Sequence, residues 1–186
     1  MLRIFAGIAL PENLREQLAG LRAGLQGARW VEPQDYHVTL KFVGEVDEGM
    51  AEDLDAALSA VRGTPPNIAI EGVGCFESRN KVRAVWAGVA PDDPLSALRG
   101  RIETAVAQAG GPAETRKFKP HVTLARLKRA PLAGVQPYLQ AHGGLRLTPF
   151  TPPSFQLFRS RLGKKGAHYE VIADYPLAPG RDRSNG

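Results

Sequence analysis

The spacing of apolar residues divides this chain into alternating strands and helices. Runs rich in apolar and β-branched side chains predict strands, at 3–10, 37–43, 67–76, 82–90, 121–127, 145–147, 154–158 and 168–173. Apolar residues that recur every three or four positions predict helices, at 11–25, 48–61, 94–109 and 135–141. Strands and helices that alternate in this way are typical of an α/β or α+β protein.

The order of elements repeats along the chain. Ala6-Gly7 and Ala87-Gly88 each begin a segment that opens a strand-helix unit, and each is followed by a helix and then by a strand that begins His-Val-Thr-Leu, at His37 and His121. The two offsets, 81 and 84 residues, are nearly equal. We therefore expect two β-α-β-α-β-type repeats. The predicted fold is α+β and bilobal with pseudo-twofold symmetry, in which two sheets rich in antiparallel strands face a central cleft and helices lie outside.

Length and composition are those of a single globular domain. The chain has 186 residues, of which 43% are hydrophobic and 23% charged, so we expect one domain over 1–178 and a flexible polar tail over 179–186. No apolar run reaches the roughly 20 residues of a membrane-spanning helix. The single cysteine, Cys75, cannot form an internal disulfide and is interpreted as a small core residue. These features predict a cytoplasmic monomer without a membrane partner.

Basic residues are concentrated around the second repeated strand. The net charge is +5, which by itself favours an anionic partner only weakly. Six basic residues and no acidic one lie between Arg116 and Arg129, and a second basic group follows at Arg159, Arg161, Lys164 and Lys165. A solvated basic face is the alternative interpretation, but the first group surrounds His121.

The two repeated tetrads contain the residues best suited to catalysis. Side chains alternate along a strand, so His37 shares a face with Thr39, and His121 shares a face with Thr123. If the lobes face each other, two imidazoles and two hydroxyls converge in the cleft. A phosphodiester reaction needs a group that accepts a proton and another that donates one, and imidazole does either near neutral pH. One such tetrad alone would be read as an ordinary strand; two in matching positions favour a paired site.

These segments resemble the 2H phosphoesterase superfamily and, within it, the RNA 2′,3′-cyclic phosphodiesterase branch (ThpR, or LigT-type 2′-5′ RNA ligases). The similarity runs from about residue 2 to 176. It lies in the segments 3–11, 30–31, 37–44, 118–126 and 160–162, with Gly166 and Tyr169. The family's Phe-Leu-Gly after the first tetrad is Phe-Val-Gly here, at 42–44.

The resemblance implies a hydrolase that opens 2′,3′-cyclic phosphate ends of RNA to 2′-phosphomonoesters. It implies that His37 donates a proton to the leaving 3′-oxygen and that His121 accepts a proton from water. Thr39 and Thr123 would bind phosphate oxygens. Reversible 2′-5′ ligation without ATP is a further expected activity of this branch, with a 5′-hydroxyl in the place of water.

Two further site residues are also implied by the resemblance. Arg126 matches a family position that holds the phosphate, with a surface arginine as the alternative. Phe42 matches a position that stacks on a base, with a core role as the alternative. Strict alternation places both side chains on the buried face of their strands, so either role requires the strand to bend, bulge or twist.

No cofactor or metal is expected. Carboxylates are absent beside both tetrads, and Gly163-Lys164-Lys165-Gly166 lacks the spacing of a phosphate-binding loop. Trp30 is interpreted as a core or cleft-rim residue, with base stacking second. His168 is expected at an edge or on the surface, with substrate contact second, and His142 at a helix end.

Two other functions stay open at this point. The same chemistry could act on a cyclic nucleotide, a 2′-5′ oligoadenylate or an ADP-ribose cyclic phosphate. Alternatively, the chain could be an RNA-binding module without catalysis. Two intact His and Thr pairs argue against that alternative, because binding alone needs no matched acid and base. The sequence leaves the physiological RNA, which could be a tRNA fragment or a short oligonucleotide, undetermined.

Overall fold

The computed structural model describes residues 1–178, and the predicted flexible tail at 179–186 lies outside them. The described part contains eight strands: β1 (Leu2–Ala9), β2 (Arg29–Trp30), β3 (His37–Val46), β4 (Ile70–Ser78), β5 (Lys81–Val89), β6 (His121–Pro131), β7 (Ser154–Gly163) and β8 (Gly166–Pro176). It also contains α1 (Glu12–Ala19), α2 (Glu48–Ser59), α3 (Asp93–Gln108), α4 (Leu132–His142) and a 3₁₀ turn (Pro33–Asp35). Over residues 1–178, no helix combines the length and apolar character needed to cross a membrane.

The strands form two four-stranded sheets. The first sheet has the order β3-β1-β7-β8 and the second has the order β2-β6-β5-β4. Every pairing between neighbouring strands is antiparallel. The predicted α+β class with two antiparallel sheets is therefore confirmed. Each sheet also takes strands from the other half of the chain, because β2 pairs with β6 and the β7–β8 hairpin returns to β1.

Two predicted elements were wrong in extent. The leucine stripe predicted a helix to residue 25, but α1 ends at Ala19. Gly24 has a φ of +82°, which a right-handed helix cannot contain, and Leu25 instead packs into a buried cluster beneath α4. The strand predicted at 145–147 is only an isolated bridge between Arg146 and Glu71. β2 was not predicted, because two residues are too few to show a period.

One hydrophobic core joins the two sheets. In β1, the alternate residues Ile4, Ala6 and Ile8 are fully buried. The same cluster contains apolar residues of β3 and β6 and of all of the first three helices, among them Val38, Leu40, Val122, Leu124, Leu14, Leu54 and Leu98. Each fully buried aliphatic side chain contributes about 1.5–3 kcal/mol. This shared core fixes β3 and β6 in position, and their opposite faces are left to form the site.

Candidate active site

The two His-Val-Thr-Leu tetrads lie at the junction of the sheets. They begin β3 and β6, and these two strands contact each other directly. The Val and Leu of each tetrad are buried in the shared core, whereas each His and Thr is half-buried. The alternation predicted from sequence therefore holds within both tetrads, and it presents four polar side chains on the faces opposite the core.

Both imidazoles are held by the same backbone contact. His37 Nδ1 lies 2.7 Å from the carbonyl oxygen of Asp35, and His121 Nδ1 lies 2.6 Å from that of Lys119. A carbonyl oxygen only accepts a hydrogen bond, so Nδ1 carries the hydrogen in each ring. The neutral ring then has its lone pair on Nε2. Each histidine is thus oriented by the residue two positions before it, with Nε2 available for proton transfer.

A β-bulge in β3 moves Phe42 onto the same face as the catalytic candidates. Thr39 pairs with Gly7, but the next paired residue is Lys41, opposite Ala6, so Leu40 is an extra residue. An extra residue reverses the alternation beyond it. Phe42 pairs with Phe5, on the face that also bears Thr39, and its side chain is 42% exposed. The expectation from strict alternation, which placed Phe42 on the buried face, was wrong for this reason.

The same bulge recurs in β6. Thr123 pairs with Trp86 and Ala125 pairs with Val85, which leaves Leu124 as the extra residue. Arg126 therefore lies on the face of Thr123 and is exposed, so strict alternation was wrong here as well. Phe42 and Arg126 occupy equivalent places, five residues after the histidine of their strand.

The charged groups of the two tetrads influence each other. Burial is the main cause of a lowered pKa at both His37 and His121, and the positive charge of Arg126 lowers the pKa of each further. The charge of His121 also lowers the pKa of His37. This agrees with the direct contact between β3 and β6, the strands that carry the two histidines and Arg126.

His37 is enclosed by aromatic rings. Its ring centroid lies 4.6 Å from that of Phe5, 4.8 Å from that of Tyr169 and 5.6 Å from that of Phe158. Burial among these rings lowers the pKa of His37 to about 4, although the nearby Asp35 backbone and carboxylate favour the protonated form. The Thr39 hydroxyl, 3.0 Å from His37 Nε2, donates to the neutral ring.

His121 is more exposed than His37 and lies near more positive charges. Its ring lies 4.9 Å from Phe76 and 5.9 Å from Trp86, and Lys119 Nζ lies 4.8 Å from the Trp86 ring centroid. Next to burial, the charges of Arg126 and Lys119 are what lower the pKa of His121. The Trp86 ring fits only because residue 74 is glycine, since a Cβ there would lie 2.3 Å from the ring.

Asp35 is a site residue that the sequence analysis missed. Its carboxylate is almost fully buried, accepts a hydrogen bond from the Tyr169 backbone N–H (3.0 Å) and lies 3.0 Å from His168 Nδ1. Because its carbonyl holds His37, Asp35 ties this histidine to β8. Acidic residues are common in turns, so no local pattern pointed to this role. His168, expected at an edge or on the surface, is half-exposed and bonded to Asp35.

The remaining candidates lie away from the cleft face. Trp30 packs against Tyr138 of α4, with ring centroids 6.0 Å apart, as the core interpretation expected. His142 ends α4, with its ring 4.5 Å from that of Tyr138. Cys75 is half-buried against the cluster beneath α4, and burial raises the pKa of its thiol. In the described residues, no three His, Cys, Asp or Glu side chains converge on a possible metal position.

A model of a known protein family matches the part of the chain that carries this site. The family model described as LigT like Phosphoesterase matches residues 8–86 and 88–169. Together these two segments contain both tetrads and most of the described chain.

Individual relatives agree with this match. An RNA 2′,3′-cyclic phosphodiesterase of Geobacillus stearothermophilus is 35% identical over 84% of this chain and 50% of its own length. A protein of the same description from Aeropyrum pernix is 31% identical over 80% of this chain and 85% of its own. The chain thus spans about half the length of the first relative and most of the second. A crystal structure from Thermus thermophilus superimposes with a TM-score of 0.79 at 26% identity, covering 96% of this chain and 99% of that one.

Proposed function

This chain belongs to the LigT-like phosphoesterase family, and from that premise we propose that it opens 2′,3′-cyclic phosphate ends of RNA to leave 2′-phosphates. Relatives at 31–35% identity are described as RNA 2′,3′-cyclic phosphodiesterases. The observation that carries the proposal is the paired orientation of His37 and His121, in which backbone carbonyls hold both Nδ1 atoms. Both Nε2 atoms then point away from the backbone, that of His37 toward the Thr39 hydroxyl.

In the proposed reaction, the two histidines divide the proton transfers. Nε2 of neutral His121 accepts a proton from water as the water oxygen forms a bond to phosphorus. Protonated His37 donates its Nε2 proton to the 3′-oxygen as the bond between phosphorus and that oxygen breaks. The products are a 2′-phosphate, a 3′-hydroxyl, neutral His37 and protonated His121, and exchange with solvent restores the starting state. Each histidine contributes about 10²–10⁴ in rate.

Substrate binding sets the required protonation state. Burial keeps the pKa of His37 near 4 in the free protein, so the ring is neutral at pH 7. A bound phosphate anion favours the protonated imidazole, and the Asp35 carboxylate acts in the same direction. His37 therefore becomes the acid when the substrate supplies its negative charge.

The neighbouring polar groups bind the phosphate and the base. Thr39 and Thr123 hydroxyls donate to the non-bridging oxygens, where charge increases in the transition state. Arg126 neutralises the same oxygens, and Phe42 stacks on the base of the terminal nucleotide. All steps of this proposed reaction use side chains, so it requires no metal or cofactor. When a 5′-hydroxyl replaces water in the reverse direction, the same groups join two RNA ends by a 2′-5′ bond.

We also infer that the protein acts as a monomer in the cytoplasm. The site is assembled from strands of a single chain, and Cys75 is the only cysteine. Gel filtration coupled to light scattering checks the first point, since a monomer of 20.1 kDa is expected.

The proposed activity is tested with an oligonucleotide that ends in a 2′,3′-cyclic phosphate. We expect the purified protein to open this end in the presence of EDTA and to yield the 2′-phosphate isomer, identified by chromatography against both standards. His37→Ala and His121→Ala should each lose at least about 10² in turnover. His142→Ala, at the end of α4, is the matched control and should retain the wild-type rate.

Three results would overturn the proposal. They are full activity in either catalytic variant, loss of activity in EDTA that added metal restores, and release of the 3′-phosphate isomer. Tight binding of the cyclic end without turnover would instead identify an RNA-binding module.

A further inference from the structure

The edge of the second sheet places two arginines directly opposite each other. Arg29 of β2 pairs with Arg126 of β6, and Trp30 pairs with Ala125. Residues opposite each other on antiparallel strands have Cβ atoms about 5 Å apart and point to the same face. Arg29 therefore shares the face of Arg126, which is also the face of Thr123 and His121.

The packing of Trp30 supports this orientation independently. Its ring contacts Tyr138 of α4 on the helical side of the sheet, and Ala125 opposite it is fully buried. Neighbouring side chains in a strand point to opposite faces. Arg29, which is exposed, must then project on the side of the cleft.

Neither arginine of this pair is neutralised by the protein. Like charges directly opposite each other on a sheet are destabilising. In the described residues, no carboxylate oxygen lies within 4.0 Å of Arg29 or Arg126, whereas five other arginines do have such a partner: Arg22, Arg99, Arg116, Arg146 and Arg161. Two adjacent guanidinium groups without a counter-charge form a site for an anion with more than one phosphate.

We propose that Arg29 forms a second phosphate subsite, which binds the phosphate on the 5′-oxygen of the terminal nucleotide. This inference rests on the proposed function and adds a substrate preference to it. Arg126 lies close to both histidines and so to the reacting phosphate, whereas Arg29 lies on the edge strand, one strand further out. In RNA the nearest phosphate beyond a terminal cyclic phosphate is the one on the 5′ side of the same nucleotide. The site thus selects chain ends over free nucleoside 2′,3′-cyclic phosphates.

The test compares two substrates that differ only in the 5′-phosphate: adenosine 2′,3′-cyclic phosphate and its 5′-phosphorylated form. For the wild-type protein, we expect the 5′-phosphate to raise kcat/KM by about tenfold, as one charge-assisted contact does. Arg29→Ala should reduce this ratio to near one, and so should Arg29→Gln, which keeps a polar side chain but removes the charge. Arg146→Ala is the matched control, because Arg146 lies beyond β4 at the opposite edge of the same sheet, and it should keep the wild-type ratio.

A binding measurement separates this inference from the proposed function. Fluorescence anisotropy with a labelled single-stranded oligonucleotide requires no turnover, and removal of one phosphate contact should make the slope of log Kd against log salt shallower by about 0.7. Arg29→Ala should show that change, and Arg146→Ala should not. If neither adenosine compound is hydrolysed and the oligonucleotide with a 2′,3′-cyclic phosphate end is not hydrolysed either, the proposed activity fails, and the salt slope still tests the subsite. A wild-type ratio near one, or an unchanged slope in Arg29→Ala, would overturn the subsite.

Discussion

The two half-sites use one backbone design in two different environments. In both, the carbonyl two residues before the histidine fixes Nδ1, and in both, a bulge after the tetrad leucine turns the fifth residue toward the cleft. The residue that supplies the carbonyl differs, since Asp35 is buried and Lys119 is exposed. The repeated motif therefore determines where the imidazoles point.

The surroundings of the motif determine how each imidazole titrates. The His37 half-site is closed by rings from β1, β7 and β8, and its buried carboxylate is bonded to β8. The His121 half-site is lined by β4 and β5 and carries positive charges, those of Arg126 and Lys119, which add to the effect of burial in lowering its pKa. Two copies of one motif can thus serve as an acid and a base because strands outside the motif differ. Three sets of variants test this difference between the half-sites at three positions of the motif.

The largest effect is expected at the fifth position after each histidine. Arg126→Ala removes a positive charge that acts on both imidazoles, and we expect kcat/KM to fall by about 10²–10³ for every cyclic phosphate. Phe42→Ala removes a stacking surface, and we expect a loss of roughly tenfold that varies with the terminal base. Steady-state kinetics on substrates ending in each of the four bases measures both.

The informative comparison is between the losses in kcat/KM of the two variants and how each loss depends on the terminal base. Uniform loss in Arg126→Ala with base-dependent loss in Phe42→Ala supports phosphate binding in one half-site and base binding in the other. Equal, base-independent losses in both variants would contradict that division. Phe42→Leu, which keeps the apolar volume but not the ring, is the control for general packing.

The fourth position after each histidine gives the next largest effect, and this effect is on stability. Lys41 is almost fully buried and pairs with Glu103 of α3 at 2.9 Å, whereas the equivalent residue in β6 is the small, buried Ala125. Glu103→Gln leaves a buried ammonium without its counter-charge, and we expect the free energy of unfolding to fall by about 3 kcal/mol. Urea denaturation at pH 7 measures this change.

Two further variants identify the cause. Adding Lys41→Met to Glu103→Gln removes the unpaired charge and should restore most of the stability. Arg99→Ala removes a longer contact of 3.7 Å to the same carboxylate and should cost less than about 1 kcal/mol. A loss in Glu103→Gln no greater than that in Arg99→Ala would show that the buried pair is not important for stability.

Sequence alone predicted the parts of this molecule that are set by short-range periodicity. Alternation in His-Val-Thr-Leu predicted which face carries His37 and Thr39, and the repeat predicted that the second copy would join it. Strict alternation of side chains failed at Phe42 and Arg126, because a bulge depends on how two strands pair and cannot be seen in the sequence of one strand. Only the pairing of Thr39 with Gly7 and of Lys41 with Ala6 reveals the extra residue.

The residues that surround the histidines could not be predicted from the sequence for a related reason. Asp35 reaches Tyr169 and His168 across more than 130 residues, and no local pattern encodes a contact at that separation. Leu25 likewise continued a helical stripe, but it lies outside α1 and packs into the cluster beneath α4. Long-range packing therefore determines the features that distinguish the two half-sites.

The smallest and most specific effect concerns the residues whose carbonyls hold the histidines, because their side chains act on the two pKa values in opposite directions. The Asp35 carboxylate raises the pKa of His37, so Asp35→Asn should lower it. Lys119 lowers the pKa of His121, so Lys119→Ala should raise it. Both backbone contacts remain, and we expect only a several-fold loss in kcat/KM at pH 7 for each variant.

NMR titration of the imidazole Hε1 signals measures each pKa directly, with His142 in the same spectra as an internal reference. Opposite shifts would mean that each side chain tunes its own imidazole through charge, separately from the orienting carbonyl. Shifts of the same sign would mean that the substitutions act by disturbing the fold, since a change in burial moves both histidines in one direction.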